Sequence, residues 1–214
     1  MRSEEHIVFD NLSTGSQKNI NKNAKFFLID ISHQPYFEDN KMDDIMNGVD
    51  VIFHMAALAR IQPSIKNPKE TIVNNFNSTL NILDCARKYE IPVVYAGSSS
   101  KHHGLYGSPY AWSKYGGEEL CKLYSEVYEL NTTICRFYNV YGSNHIRTGT
   151  YATVIGIFEN QYLKGEPLTI VGDGEQRRDF THIDDIVDGL IKCVGKNHKG
   201  KTFELGTGKN YSII

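Results

Sequence analysis

"NPKETIVNNFNSTLNILDCARKYEIPVVYAGSSS", residues 67–100, reads as an amphipathic helix feeding a short apolar strand. Val73, Phe76, Leu80, Leu83 and Ala86 recur at steps of three and four, which places them on one face of a helix from Asn67 to about Glu90. A helix with such a stripe between "VDVIFHMAA" (49–57) and "IPVVYA" (91–96) is the crossover of a parallel sheet. The pattern extends outward in both directions. "HIVF" (6–9) and "KFFLID" (25–30) precede it, and "TTICRFY" (132–138) follows a helix beginning near Ser108. The last third contains a helix near 150–163, a strand "LTIVG" (168–172), a polar loop "DGEQRRDF" (173–180), a helix "IDDIVDGLIKCV" (183–194) and a strand "TFEL" (202–205) before "GTG". The fold class is therefore α/β, with a doubly wound parallel sheet over residues 1–142 and a smaller region, 143–214, interleaved with it. No internal repeat or low-complexity segment interrupts this order.

Composition narrows the function classes. The 214 residues carry a formal charge of -2 with both signs interspersed, so there is no basic stripe for nucleic acid and no polybasic tail for a membrane surface. Cys85, Cys121, Cys135 and Cys193 form no CxxC pair and lie within apolar patterns, as buried thiols do in a reducing compartment. No apolar run reaches the ~18 residues of a membrane span and no leader pattern opens the sequence, so the expected location is the cytoplasm. Small-molecule chemistry is the expectation that remains.

Open parallel sheets bind ligands beyond the carboxyl ends of their strands. Asp10, Asp30, Ala56 with Ala57, and Ser98 with Ser99 and Ser100 all fall at such ends. In "SPYAWSKYGGEEL" (108–120), Tyr110 and Lys114 are four residues apart, about 400° of rotation and 6 Å of rise along a helix, so they share a face. A phenol acting as a base near neutral pH needs about 4 kcal/mol of preferential stabilisation of its anion. An ammonium about 5 Å away supplies roughly 3 kcal/mol at an effective dielectric near 20.

The motifs, in order, are "FDNLSTG", "LIDI", "HMAALA", "NNFNST", "YAGSSS", "YAWSK", "RFYNVYG", "GDGEQRRDF" and "LGTG". Together they resemble the extended short-chain dehydrogenase/reductases, in particular the NAD-dependent nucleotide-sugar epimerase/dehydratase branch, with a Rossmann-like sheet. The resemblance implies that Asp10 takes the adenine ribose hydroxyls, with Asn11, Ser13, Thr14 and Gly15 around it, which favours NAD. It implies Asp30 and Ile31 beside the adenine, and Ala56, Ala57 and Leu58 along the pyrophosphate and nicotinamide ribose. Arg60 is implied as a cofactor contact, and Asn75 as support for the nicotinamide end. Tyr110 and Lys114 become the acid/base couple, and Ser98, or else Ser99, bonds the reacting hydroxyl. Asn139 and Arg178 face the nucleotide diphosphate of the substrate, while Arg177 and Arg147 read as surface charges. His54 reads as a packed core histidine, and His102 and His103 as solvated loop residues rather than metal ligands.

Dehydratases of this branch place an Asp-Glu pair beside the serine, decarboxylases a glutamate and some reductases a cysteine. Lys101 and two further serines stand there instead. By elimination the expected reaction is 4-epimerisation of a UDP-hexose or its N-acetylated form. The alternatives are another reaction of the family and a non-catalytic fragment or binding module; the partners expected are the nucleotide sugar and, as in relatives, a second copy of the chain. "KHHG" replaces the family's usual Tyr-Gly after the serines. No GxxGxxG turn is present, and in the strand order 3-2-1-4-5-6 its strand would fall between "HIVF" and "VIFHM". The sequence is thus expected to be an internal portion of a longer reading frame, or a decayed copy.

Overall fold

In the computed structural model, which describes residues 5–33 and 44–214, the parallel sheet expected from the crossover pattern is present. Its strands are β3 (Ile52–His54), β4 (Val93–Ser98), β5 (Thr132–Phe137) and β9 (Lys201–Leu205), in the order β3-β4-β5-β9. Register pairs Ile52 with Val93, Val93 with Thr132 and Cys135 with Phe203, all parallel. Every residue of β4 is buried, as a central strand covered on both faces requires. A second parallel pair, β1 (Ile7–Asp10) and β2 (Lys25–Leu28), packs Phe9 on the same core cluster as Leu83, Tyr95 and Ile134. Among the described residues no strand joins β1 to β3. The break falls where the expected strand order has its gap, and Phe53 and Met55 beside it are 40% and 38% exposed.

Flanking this frame are the helices α1 (Ile61–Lys66), α2 (Pro68–Lys88), α3 (Pro109–Tyr128), α4 (Val154–Leu163) and α5 (Ile183–Lys192). Pro68 and Pro109 sit at the first turns of α2 and α3, where a missing N–H costs nothing. The buried face of α2 differs from the expected stripe. Its buried residues are Thr71, Asn75, Ser78, Thr79, Asn81, Ile82, Leu83, Cys85 and Ala86, while Val73 is exposed. Phe76 faces sideways, stacking on Trp112 of α3 at 6.4 Å, so the apolar residues of α2 are divided between the sheet and its neighbouring helix.

The short pairs β6 (Val140–Tyr141) with β8 (Thr181–His182), and β7 (Arg177–Arg178) with β10 (Tyr211–Ser212), organise the last third. The expected strand at 168–172 does not form; Leu168, Ile170 and Val171 run along the surface without a ladder partner. All four cysteines are buried, and so is His54, as expected. No helix among the described residues is long and apolar enough to cross a membrane, and no His/Cys/Asp/Glu cluster there could hold a metal ion.

Candidate active site

β4 ends at Ser98, and the chain turns through a 3-10 helix, Ser99–His103, before α3 begins. Ser108 caps α3 by accepting from the Ala111 N–H at 3.1 Å. The next free amide, Tyr110 N–H, donates 3.1 Å to Oγ of Ser64, a fully buried α1 residue that itself donates to the Ile61 carbonyl. The start of α3 is therefore fixed by two elements, and the Tyr110 hydroxyl reaches Oγ of Ser98 at 3.5 Å. Ser98 Oγ also accepts from the Ser100 N–H and bonds Ser100 Oγ at 2.9 Å.

The electrostatics of the pair differ from the simple expectation. Burial raises the Tyr110 phenol above its ordinary value, and the opposing influences are the Ser98 hydrogen bond and the charge of Arg60. Lys114 is 4% exposed, and desolvation lowers it from 10.5 to about 8. Its ammonium lies 4.3 Å from the Tyr95 ring centroid, a cation–π contact in place of an ion pair. His54, behind it, is lowered to about 3 by burial and by Lys114, and so stays neutral.

Beneath this surface lies a polar network that the sequence did not announce. Asn75 accepts the Leu58 N–H at 2.7 Å and donates to the Leu58 carbonyl and to Ser113 Oγ. Its amide holds the connection after β3 against α3. Glu118, one turn beyond Lys114, is fully buried and takes Nε and Nη2 of Arg136 at 2.9 and 2.6 Å. Gly97 makes room for the pair, since a Cβ there would lie 2.8 Å from Glu118 Oε1.

Two clefts share the connection after β3 as a border, with Leu58 lining one and Arg60 the other. The first, about 770 Å³, is bordered by Asn11, Ser13, Asp30, Leu58 and Asn67. Asn11 donates to Asp30, and Ser32 donates to it twice; burial raises the Asp30 carboxyl, but these hydrogen bonds outweigh it and hold it low. Asp10 accepts the Leu12 N–H, and a Cβ on Gly15 would stand 3.8 Å from its carboxylate, in the space beside it. Acceptors with clearance at the end of β1 suit a ribose diol, and Thr14 lies in the same turn. Ala56 is exposed and Ala57 partly so, whereas the Ile31 side chain belongs to the core.

The second cleft, about 320 Å³, is lined by Arg60, Asn139, Thr153, Phe158, Arg178 and Phe180 among others, with two guanidinium groups and no carboxylate. Arg60 donates from Nε and Nη2 to the Tyr151 carbonyl at 3.0 and 2.9 Å, which places it with Asn139 and Arg178 rather than with Asp10 and Asp30. Its φ of 122° is a strained value for a residue with a Cβ. Asn139 donates to the Asp179 carbonyl, and the Asp179 carboxylate gathers Thr207 N–H, Thr207 Oγ and Gly208 N–H. Asp179 thereby ties "GTG" to the cleft, a role its neighbour Arg178 overshadowed in the sequence. Arg147 is exposed and paired with Glu159, and Arg177 is bonded to Asn210.

This arrangement recurs in known proteins. A protein of Methanocaldococcus jannaschii provisionally named a UDP-glucose 4-epimerase is 36% identical over 97% of this chain and 70% of its own length. The UDP-N-acetyl-alpha-D-glucosaminuronate decarboxylase of Bacillus cytotoxicus is 33% identical over 82% of this chain and 60% of its own length. The UDP-glucose 4-epimerase of Thermotoga maritima, solved with UDP-glucose, superposes with a TM-score of 0.89 at 28% identity, over 97% of this chain and 70% of that one. The sequence profile of the NAD dependent epimerase/dehydratase family matches residues 2–206. With that match over nearly the whole length, and a Rossmann-like sheet packed by the helix that carries Tyr110 and Lys114, the chain belongs to the NAD dependent epimerase/dehydratase family of enzymes.

Proposed function

We propose that the chain epimerises C4 of a UDP-hexose or UDP-N-acetylhexosamine. The observation that carries this reading is the contact of Tyr110 with Ser98, one helical turn from Lys114. In this reading residues 1–142 hold NAD along Asp10, Asn11, Ser13, Thr14, Gly15, Asp30, Ala56, Ala57 and Leu58. Residues 143–214, with Asn139 and Arg178, hold the nucleotide diphosphate, for which a guanidinium is suited. When bound, NAD supplies the acceptor for the sugar's C4 hydride and returns it. Ser98 fixes the 4-hydroxyl, and Tyr110 takes its proton as the carbonyl forms. Lys114 stabilises the resulting phenolate, the anion that its buried ammonium lacks. With Lys101 and serines in place of acids, no carboxylate adjoins Ser98 in the sequence to deprotonate C5 or expel a group. The keto-sugar turns over, the hydride is restored to the other face of C4, and Tyr110 returns its proton to the C4 oxygen.

A non-catalytic binding module is the second reading, favoured by the break between β1 and β3. One experiment separates the two: the purified chain is given NAD and UDP-glucose, and UDP-galactose is measured. Epimerisation that falls at least about a hundredfold in Tyr110→Phe, with NAD binding retained, supports the assignment. NAD binding without turnover selects the binding module, and equal turnover in Tyr110→Phe removes Tyr110 from the chemistry.

A further inference from the structure

The histidines of "KHHG" read as solvated from sequence, yet His102 has specific partners. Its Nε2 donates 3.1 Å to Oε1 of Glu204 at the end of β9, since a carboxylate can only accept. The imidazole stacks on the Tyr138 ring at 6.3 Å with 22° between planes. Glu204 is also the acceptor for Arg136 Nη1 at 2.7 Å and for the Tyr138 hydroxyl at 2.9 Å. Burial raises the Glu204 carboxyl, but its three donors together hold it below the usual range. The Tyr138 ring is hemmed in, since a Cβ on Gly206 would stand 3.0 Å from it.

The 3-10 turn that carries Ser99 and Ser100 is thus fastened at both ends. At its start Ser98 Oγ accepts the Ser100 N–H at 3.2 Å, and at its far end His102 is held on Glu204 and Tyr138. The two fastenings share a base, because Arg136, which bonds Glu204, also bonds the Glu118 that packs against Gly97 immediately before Ser98. Lys101, between them, lies over the Tyr115 ring at 4.6 Å on the outer side of α3.

We infer that His102 and Glu204 are positioning residues, a latch that sets Ser98 and Ser100 against Tyr110 in the segment where this chain departs from its family's sequence. The inference rests on the proposed reaction for its catalytic consequence, but the latch itself can be read without turnover. His102→Leu removes the donor, and His102→Gln retains one of similar reach. In the Leu variant, hydrogen exchange at amides 99–104 is expected to quicken about tenfold, the scale of one charge-assisted hydrogen bond. Epimerase kcat is expected to fall about tenfold with KM for UDP-glucose within about twofold, and the Gln variant to recover most of both. Unchanged exchange in His102→Leu overturns the latch, and faster exchange with unchanged kcat overturns its positioning role. If the parent chain bound NAD and UDP-glucose without turnover, the proposed reaction would fall, and the exchange measurement alone would decide the latch.

Discussion

Replacing Lys114 by methionine is expected to stabilise the protein at neutral pH, by an amount that shrinks as the pH rises. Desolvation lowers this lysine from 10.5 to about 8. A group whose pKa is depressed on folding contributes stability that is present above the unfolded value and lost as pH falls through the folded one. Between pH 10.5 and 8 the unfolded chain holds more protons than the folded one, so the lysine's contribution declines across this window. The shift of about 2.5 units, at 1.36 kcal/mol each, makes a penalty of about 3 kcal/mol at pH 7. At pH 10 most of the penalty is gone, because the folded-state amine is already neutral. The difference in unfolding free energy between Lys114→Met and the parent is therefore expected to be about 2 to 3 kcal/mol more favourable to the variant at pH 7 than at pH 10. Urea titrations at the two pH values measure it, and taking the difference between proteins removes the tyrosines and cysteines that also titrate there. An equal difference at both pH values would refute the reasoning, because the ammonium would then carry no desolvation penalty.

Two further substitutions probe the ground beneath the site. A Cβ on Gly117 would lie 2.2 Å from the hydroxyl oxygen of Tyr95, whose buried ring is tied to the Lys114 carbonyl; Gly117→Ala is expected to cost about 3 kcal/mol in urea unfolding, and a loss under about 1 kcal/mol would show that the ring can move. Glu118→Ala strips Arg136 of its two-point partner in a buried position and is expected to cost about 3 to 5 kcal/mol, whereas Glu118→Leu with Arg136→Met, which removes both charges, should recover most of that; equal losses in the two proteins would show that packing, not charge, holds the pair.

The parallel sheet was legible because its signals are local. "IPVVYA" and "TTICRFY" are β-rich runs bracketing helical periodicity, and each became a strand of the four-stranded sheet. Val73 misled because a three-and-four count cannot tell which neighbour a face meets; Phe76 met Trp112 instead of the sheet. "LTIVG" misled because β-propensity requires a partner, and none of the described strands runs beside it. Tyr110, Ser98 and Asp30 were legible as polar groups at element ends, and the structure brings Tyr110 to Ser98 and Asn11 to Asp30. The residues that hold them were hidden. Ser64 lies 46 positions from Tyr110, and Glu204 lies 102 from His102, so no spacing rule connects them. Glu118 alone left a sign, since 110, 114 and 118 follow one face of α3.

That face also shows why two buried charges one turn apart differ. Glu118 is matched by a guanidinium with two short hydrogen bonds, so its charge is neutralised on the spot. Lys114 makes no ion pair with a carboxylate among the described residues and rests on an aromatic ring. A cation–π contact is worth about 2 kcal/mol when desolvated and leaves much of the burial cost standing, which is the lowered pKa. An ammonium held in that condition binds more tightly any anion that forms beside it, and the phenol one turn away is an acid that burial keeps protonated. Burial thus disfavours the charged form of each group in the resting state. In the proposed reaction both penalties are relieved together when Tyr110 gives up its proton, so stabilisation is concentrated in the step that forms the phenolate rather than spread over the resting state.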